Sequence, residues 1–367
     1  MQYRILGKTG LKVSAIGFGC VMVGSSDTSY AVSVIQRAVE LGVTFFDCAR
    51  GYWDSEIKLG LALEGQRDKV IISTKAGAKT RDDAWRQINE SLQRLRTDYV
   101  DNCHLHGLEP GADIDQRMGP GGALEALVEA KRQGMIRHIG ASAHRSSTLI
   151  DALGRFDLEM ILVPMNIIER EPLQQLIPRC QEKNVGVTIM KPLATGLLPA
   201  QLALKWLLNQ SIGSCVPGAT TLEEVEENCM VGNHDAILSE GEWRQAEQIK
   251  AEWEHKRCRL CGECEPCPAG IPLWVTLGSD VMYDHYRTMG SQQFRAFRWS
   301  QARVEKESMT RRERIAQIEA CTNCGECERR CRYGLPIVDM LHGMLPAMRE
   351  MAGIYDDLEA APAALQS

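Results

Sequence analysis

No stretch of this chain approaches the roughly 20 uncharged apolar residues that a bilayer-spanning helix needs. Its opening, MQYRILGKTG, places charges where an export signal would hold an apolar core. The expectation is a cytoplasmic protein with no membrane span. Positive charge is not in excess: 42 Lys and Arg stand against 48 Asp and Glu, a formal net charge of −6. Such a surface repels phosphate, which argues against nucleic acid as a partner. The Gly-x-Gly-x-x-Gly turn of an open dinucleotide-binding sheet is missing, since Gly17, Gly19 and Gly24 do not have that spacing. No flavin motif is seen that would convert two-electron into one-electron transfer.

Cysteine, by contrast, is abundant, with 14 residues. A secreted disulfide framework belongs to short chains, and this one has 367 residues. Eight of the cysteines fall into two runs near the end of the chain, Cys258, Cys261, Cys264, Cys267 and Cys321, Cys324, Cys327, Cys331. Each run reads C-x-x-C-x-x-C with one more cysteine following. Thiolates three positions apart can wrap one corner of an iron–sulfur cubane, and the fourth usually crosses to a partner cluster. The spacing therefore points to one-electron chemistry. Zinc is the competing occupant, because C-x-x-C pairs also build tetrahedral zinc sites. The other six cysteines read as reduced thiols.

At 44% hydrophobic and 25% charged, the chain can bury one barrel-sized core plus a small appendage. Short apolar runs alternate with longer amphipathic stretches. The runs are 15–20, 43–47, 70–75, 99–106, 136–142, 160–166, 185–191 and 213–217, and helix-like segments such as 30–41, 80–95, 121–133 and 202–210 lie between them. Eight strand–helix units predict an α/β fold, a closed (β/α)8 TIM barrel with chemistry at the carboxyl ends of its strands. An open doubly wound sheet is the competing architecture. The expected domains are a barrel over 1–250, a helical domain with the cysteine runs over 251–345, and a tail over 346–367. Within the second domain, 271–320 reads as helical, with Phe294, Phe297, Arg298, Ile315 and Ile318 at helical spacings.

Polar residues mark successive strand ends: Asp47 on the second, Tyr52 in its loop, Lys75 on the third, His106 on the fourth. The segments YRILGKTGLKVSAIGFG, GVTFFDCARGY, STKAG and DNCHLHG, in that order, resemble the aldo-keto reductases over almost all of residues 3–228. Cys48 holds the place of a Ser or Thr in the second of them. The resemblance implies a small carbonyl or alcohol substrate, with Tyr52 as general acid, Lys75 and Asp47 beside it lowering its pKa, and His106 orienting the substrate oxygen. It also implies NAD(H) or NADP(H), held by Gly19, Cys20, Ser142, Asn166, Met190, Pro217, Gly218, Glu227 and Asn228. Three expected contacts differ: Ala143, Leu162 and Met190 stand where the family usually has Asn, Gln and an aromatic residue. In VPGATTLEEVEEN, the places of the basic residues that hold a 2′-phosphate are taken by Gly218, Thr220 and Glu224, which favours NADH. His104 shares the inward face with His106 and reads as a hydrogen-bonded core residue.

The cysteine module resembles the α-helical ferredoxin domains fused to some aldo-keto reductases. In such a module one 4Fe-4S cluster would use Cys258, Cys261, Cys264 and Cys331, and the other Cys321, Cys324, Cys327 and Cys267. The basic stretch 295–314 offers a docking face for an acidic redox partner protein, or a solvated helix face. Three functions follow: a nicotinamide-dependent reductase carrying clusters, a barrel that dispenses with nicotinamide and is fed by the clusters, or an electron carrier on a scaffold barrel.

Overall fold

The computed structural model describes residues 1–233, 236–259, 261–278 and 312–359. Phe294, Phe297, Arg298, most of the basic stretch and residues 360–367 lie outside the described residues. The chain divides into two compact units, Met1–Lys250 and Ala251–Ser367.

The first unit begins with an antiparallel hairpin, β1 (Tyr3–Ile5) and β2 (Lys12–Ser14). Eight parallel strands follow: β3 (Phe18–Gly19), β4 (Phe45–Asp47), β5 (Ile71–Ala76), β6 (Val100–Leu105), β7 (Ile136–Ser142), β8 (Met160–Pro164), β9 (Gly186–Met190) and β10 (Ser214–Cys215). They pair in sequence order. The ends meet through the bridges Ile16 to Cys215 and Gly19 to Gly218, which close the barrel. Strands buried on both faces read as continuous apolar runs, as these do. The helices between them bury one stripe each. In the helix Arg81–Leu95, Thr80 caps the N-terminus by accepting from the Asp83 amide, Asp82 and Asp83 complement the dipole, and Ala84, Ile88, Leu92 and Leu95 face inward.

The hairpin closes the barrel floor. Leu6 and Val13 pack with Phe45, Met160, Leu162 and Val216 in one apolar cluster. Leu6 fits because glycine stands at the start of β9 and just before β10: a Cβ on Gly186 would lie 2.6 Å from Leu6 Cγ, and one on Gly213 would lie 2.4 Å from its Cδ1. The floor is thus sealed with apolar groups, which leaves the carboxyl ends of the strands as the open face.

The second unit has its own core, built from Ile271, Leu273, Leu277, Ile318, Leu335, Ile337, Leu341, Met344, Met348 and Met351, with Cys264 and Cys327 among them. Residues 312–319 are helical, and short helices occupy Leu273–Gly278 and Glu326–Arg330. The long helix Ile337–Glu359 runs through the expected boundary at 346. The tail assigned to 346–367 therefore begins inside an ordered element. The reason is a stripe at three- and four-residue spacing, Leu341, Met344, Leu345, Met348 and Met351, that is buried in the unit's core.

Candidate active site

The open face of the barrel gathers the four polar residues expected from sequence. Asp47 ends β4 and Lys75 lies one residue before the end of β5, so parallel pairing sets their side chains on neighbouring strands. Lys75 Nζ donates to Asp47 Oδ2 at 2.6 Å and to the Cys48 carbonyl at 2.6 Å. The same ammonium lies 4.7 Å from the Tyr52 ring centroid. His106, just past β6, meets the Tyr52 ring edge to face at 5.7 Å between centroids. The loop that carries Tyr52 is held at several points. The Tyr52 amide donates to the Ala49 carbonyl at 3.0 Å, the Cys48 and Ser55 side chains are 2.7 Å apart, and Arg94 donates to the Trp53 carbonyl.

Burial sets the charges. It pushes the Asp47 carboxyl up, while the Lys75 ammonium pulls it back. Burial alone would lower Lys75, but the negative charge of Asp47, and that of Tyr52 once its phenol ionises, outweigh it and hold the ammonium above its usual range. For Tyr52 the expectation of a lowered pKa is corrected. Burial raises the phenol and Asp47 adds to this, which together exceed the downward pull of Lys75. Tyr52 therefore keeps its proton throughout the neutral range. His106 is pushed down to about 3 by burial, then by the positive charges of Lys75 and Arg117, and is neutral at pH 7.

Two residues that were not singled out in the sequence shape this face. Arg117, on a short helix after β6 (Ala112–Met118), is 2% exposed and donates to the His106 carbonyl at 2.9 Å and the Ala76 carbonyl at 3.1 Å, tying together the ends of β5 and β6. His144 follows β7, and burial and Lys191 lower its pKa to about 3. Neither belongs to a strand-end motif; Arg117 in particular sits 11 residues from the carbonyl it holds. His104 is wholly buried inside the barrel, in register with Lys75 and Gly140. A Cβ on Gly140 would lie 2.4 Å from His104 Nδ1, so the glycine makes room for the ring.

The residues expected to hold a dinucleotide are only partly free for it. Gly19 and Gly218 bridge to close the barrel, and the Pro217 carbonyl accepts from the Gly19 amide at 2.9 Å. Cys20 is wholly buried, with its thiol against the Phe18 carbonyl and beside the Cys48 thiol. Ser142 accepts from the Gly107 amide at 2.9 Å. Asn166 makes four hydrogen bonds within the protein: its Nδ2 donates to Glu169 and to the Lys191 carbonyl, and its Oδ1 accepts from the Ile168 and Glu169 amides. Met190 is half-buried at the end of β9 and packs on the barrel's apolar cluster. Glu227 is exposed and Asn228 buried on the helix Leu222–Asn233. Glu224 Oε2 accepts from the Thr220 amide at 2.6 Å and the Thr221 amide at 3.3 Å, so a carboxylate of this chain already covers the start of that helix.

In the second unit, Cys267, Cys321, Cys324 and Cys327 line one cavity, together with Ile271 and Leu341. Cys264 feels the charges of Cys258 and Cys261, and Cys261 that of Cys331. Cys267 of the first run thus lies with three cysteines of the second, and Cys331 of the second lies near Cys261 of the first. Apolar walls and sulfur donors are the chemistry a cluster requires.

Comparison with known proteins agrees with both units. Residues 15–200 match the Aldo/keto reductase family, and residues 254–335 match the 4Fe-4S dicluster domain. An uncharacterized oxidoreductase of Bacillus subtilis, YqkF, is 26% identical over 312 residues, covering 70% of this chain and 97% of that protein. The L-galactose dehydrogenase of Arabidopsis thaliana is 31% identical over 280 residues, covering 62% of this chain and 87% of its own length. Among solved structures, the holo form of an aldo-keto reductase of Bacillus halodurans superposes with a TM-score of 0.60 at 27% identity, covering 68% of this chain and 96% of that one. The barrel with its strand-end residues and the cysteine unit that follows thus make this chain a member of the aldo/keto reductase family that carries a 4Fe-4S dicluster domain.

Proposed function

We propose that the barrel interconverts a small carbonyl compound and its alcohol, using a nicotinamide dinucleotide, and that the second unit holds two 4Fe-4S clusters exchanging electrons with a redox partner. The observation that carries this reading is the convergence of Asp47, Tyr52, Lys75 and His106 at the carboxyl ends of adjacent strands. A bound nicotinamide supplies or accepts the hydride. As hydride reaches the carbonyl carbon, charge builds on oxygen, and Tyr52 gives its proton there. Lys75, held charged by Asp47, then stabilises the tyrosinate left behind. His106, neutral, donates a hydrogen bond that orients the substrate oxygen; a neutral donor avoids competing with Tyr52 as the acid. Its carbonyl is fixed by Arg117, so its position does not depend on the substrate.

Glu224 favours NADH over NADPH. Its carboxylate occupies the amides of Thr220 and Thr221 at a helix start, where a 2′-phosphate would otherwise find donors. A second reading is supported by Asn166, whose amide is already saturated, and by Met190, which offers no flat ring. In that reading the barrel works without nicotinamide and the clusters supply one electron at a time to the Tyr52 site. Anaerobic titration with NADH and NADPH, read by ligand fluorescence, separates the two. Binding of NADH with consumption in the presence of an aldehyde supports the first; binding of neither supports the second.

A further inference from the structure

A cavity of about 380 Å3 opens beside the catalytic face, with His106 as one wall and Arg50, Arg86, Glu90 and two glycines around it. That volume sits at the small end of the roughly 300–1,000 Å3 typical of ligand pockets. A molecule filling it touches His106 and so lies next to the reacting centre. We infer that this cavity is an anion subsite that selects carbonyl substrates bearing a carboxylate, an assignment that rests on the carbonyl-reductase reading above.

The free donors of Arg50 support this. Two guanidiniums face one carboxylate in the lining. Arg50 Nε donates to Glu90 Oε2 at 2.8 Å, which orients the fork and is the one hydrogen bond of that side chain among the described residues. Its two terminal nitrogens are left for a ligand. Arg86 Nη2 is held by Asp83 at 2.6 Å, and its Nε lies 4.0 Å from Glu90 Oε1. Glu90 and Asp83 thus balance the two guanidiniums, and what the cavity offers an anion is the unengaged terminal nitrogens of Arg50. His106 adds no charge, being neutral at pH 7. The planar Arg fork matches a carboxylate in two parallel hydrogen bonds, a geometry that a neutral head group cannot use fully. Room for it is kept by Gly51 and Gly77, where an added Cβ would meet no atom within 4 Å.

The test uses the full protein with its clusters and two aldehydes of nearly the same shape, one anionic and one neutral, 4-carboxybenzaldehyde and 4-formylbenzamide. The carboxylate should have a kcat/KM about tenfold higher, carried by KM, the size expected of one charge-assisted contact at a half-exposed site. The preference should shrink with added salt and fall to about one in Arg50→Met. Calorimetry with benzoate and benzamide gives a readout that needs no turnover: benzoate should bind the wild type more tightly and lose that advantage in Arg50→Met. Benzoate selectivity without reduction of either aldehyde would keep the subsite and overturn the carbonyl reading. Equal affinity for benzoate and benzamide, or a preference that survives in Arg50→Met, would overturn the subsite itself.

Discussion

The strongest single perturbation open to this site is Lys75→Met. The side chains of Lys75 and Asp47 are 1% and 6% exposed, and they meet at 2.6 Å. Removing one partner of a buried ion pair leaves the other charge without compensation, at a cost of about 3–5 kcal/mol. Asp47 can escape by taking a proton, since burial already pushes its carboxyl upward. Without Lys75 its folded pKa then lies above the roughly 3.9 of an unfolded Asp, and the variant binds more protons folded than unfolded. The Asp47 contribution to its stability is fully present below about pH 3.9 and is lost as pH rises through the folded value. Denaturant unfolding followed by circular dichroism at pH 5 and pH 8, with cluster absorbance tracked separately, should show a deficit that is larger at pH 8. Asp47→Asn combined with Lys75→Met should recover a large part of it, because no uncompensated charge remains. A single variant within about 1 kcal/mol of wild type, or a double variant as unstable as the two losses summed, would refute the reasoning.

Other consequences are open to direct measurement. His106 and His144, each held near 3 in the fold, stay neutral where the unfolded chain takes up protons. Stability should therefore be fully present above about pH 6.5 and fall towards pH 3, by up to about 5 kcal/mol for each histidine at about 1.4 kcal/mol per pKa unit. His144→Gln should flatten that acid slope in denaturant melts. In Glu224→Gln the amides of Thr220 and Thr221 lose their anionic partner, and the ratio of NADPH to NADH affinity should rise about tenfold in fluorescence titrations. Iron analysis of anaerobically purified protein should give about eight irons per chain, and Cys267→Ser and Cys331→Ser should each lose about four, from different clusters. Colourless protein holding zinc would remove the cluster assignment.

Much of this arrangement is legible in the sequence, and the particular failures have physical causes. The barrel follows from runs such as MILVPMN and VGVTIMK, whose buried faces leave no alternation to misread. The strand-end residues follow because a parallel sheet puts Asp47, Lys75 and His106 at one edge by register alone. Arg117 was not seen because its role lies in backbone carbonyls at His106 and Ala76, which no motif records. The direction of the Tyr52 shift depends on how much solvent the fold removes, and sequence spacing carries only the neighbouring charges. The place of Asn166 after V-P-M suggests a dinucleotide contact, while the four hydrogen bonds its side chain makes within the protein are visible only in the fold. The helix through 346 was missed because its methionines and leucines mark a core only when their partners on other elements are known.

The central claim is that the phenol of Tyr52 delivers the proton at a centre charged by Lys75. It is tested most directly by single-turnover reduction of an aldehyde by NADH in wild type and in Tyr52→Phe, with iron content measured on the same samples. The account predicts a rate lower by about 10²–10⁴ with unchanged iron and unchanged dinucleotide binding. A Tyr52→Phe rate within threefold of wild type would contradict it.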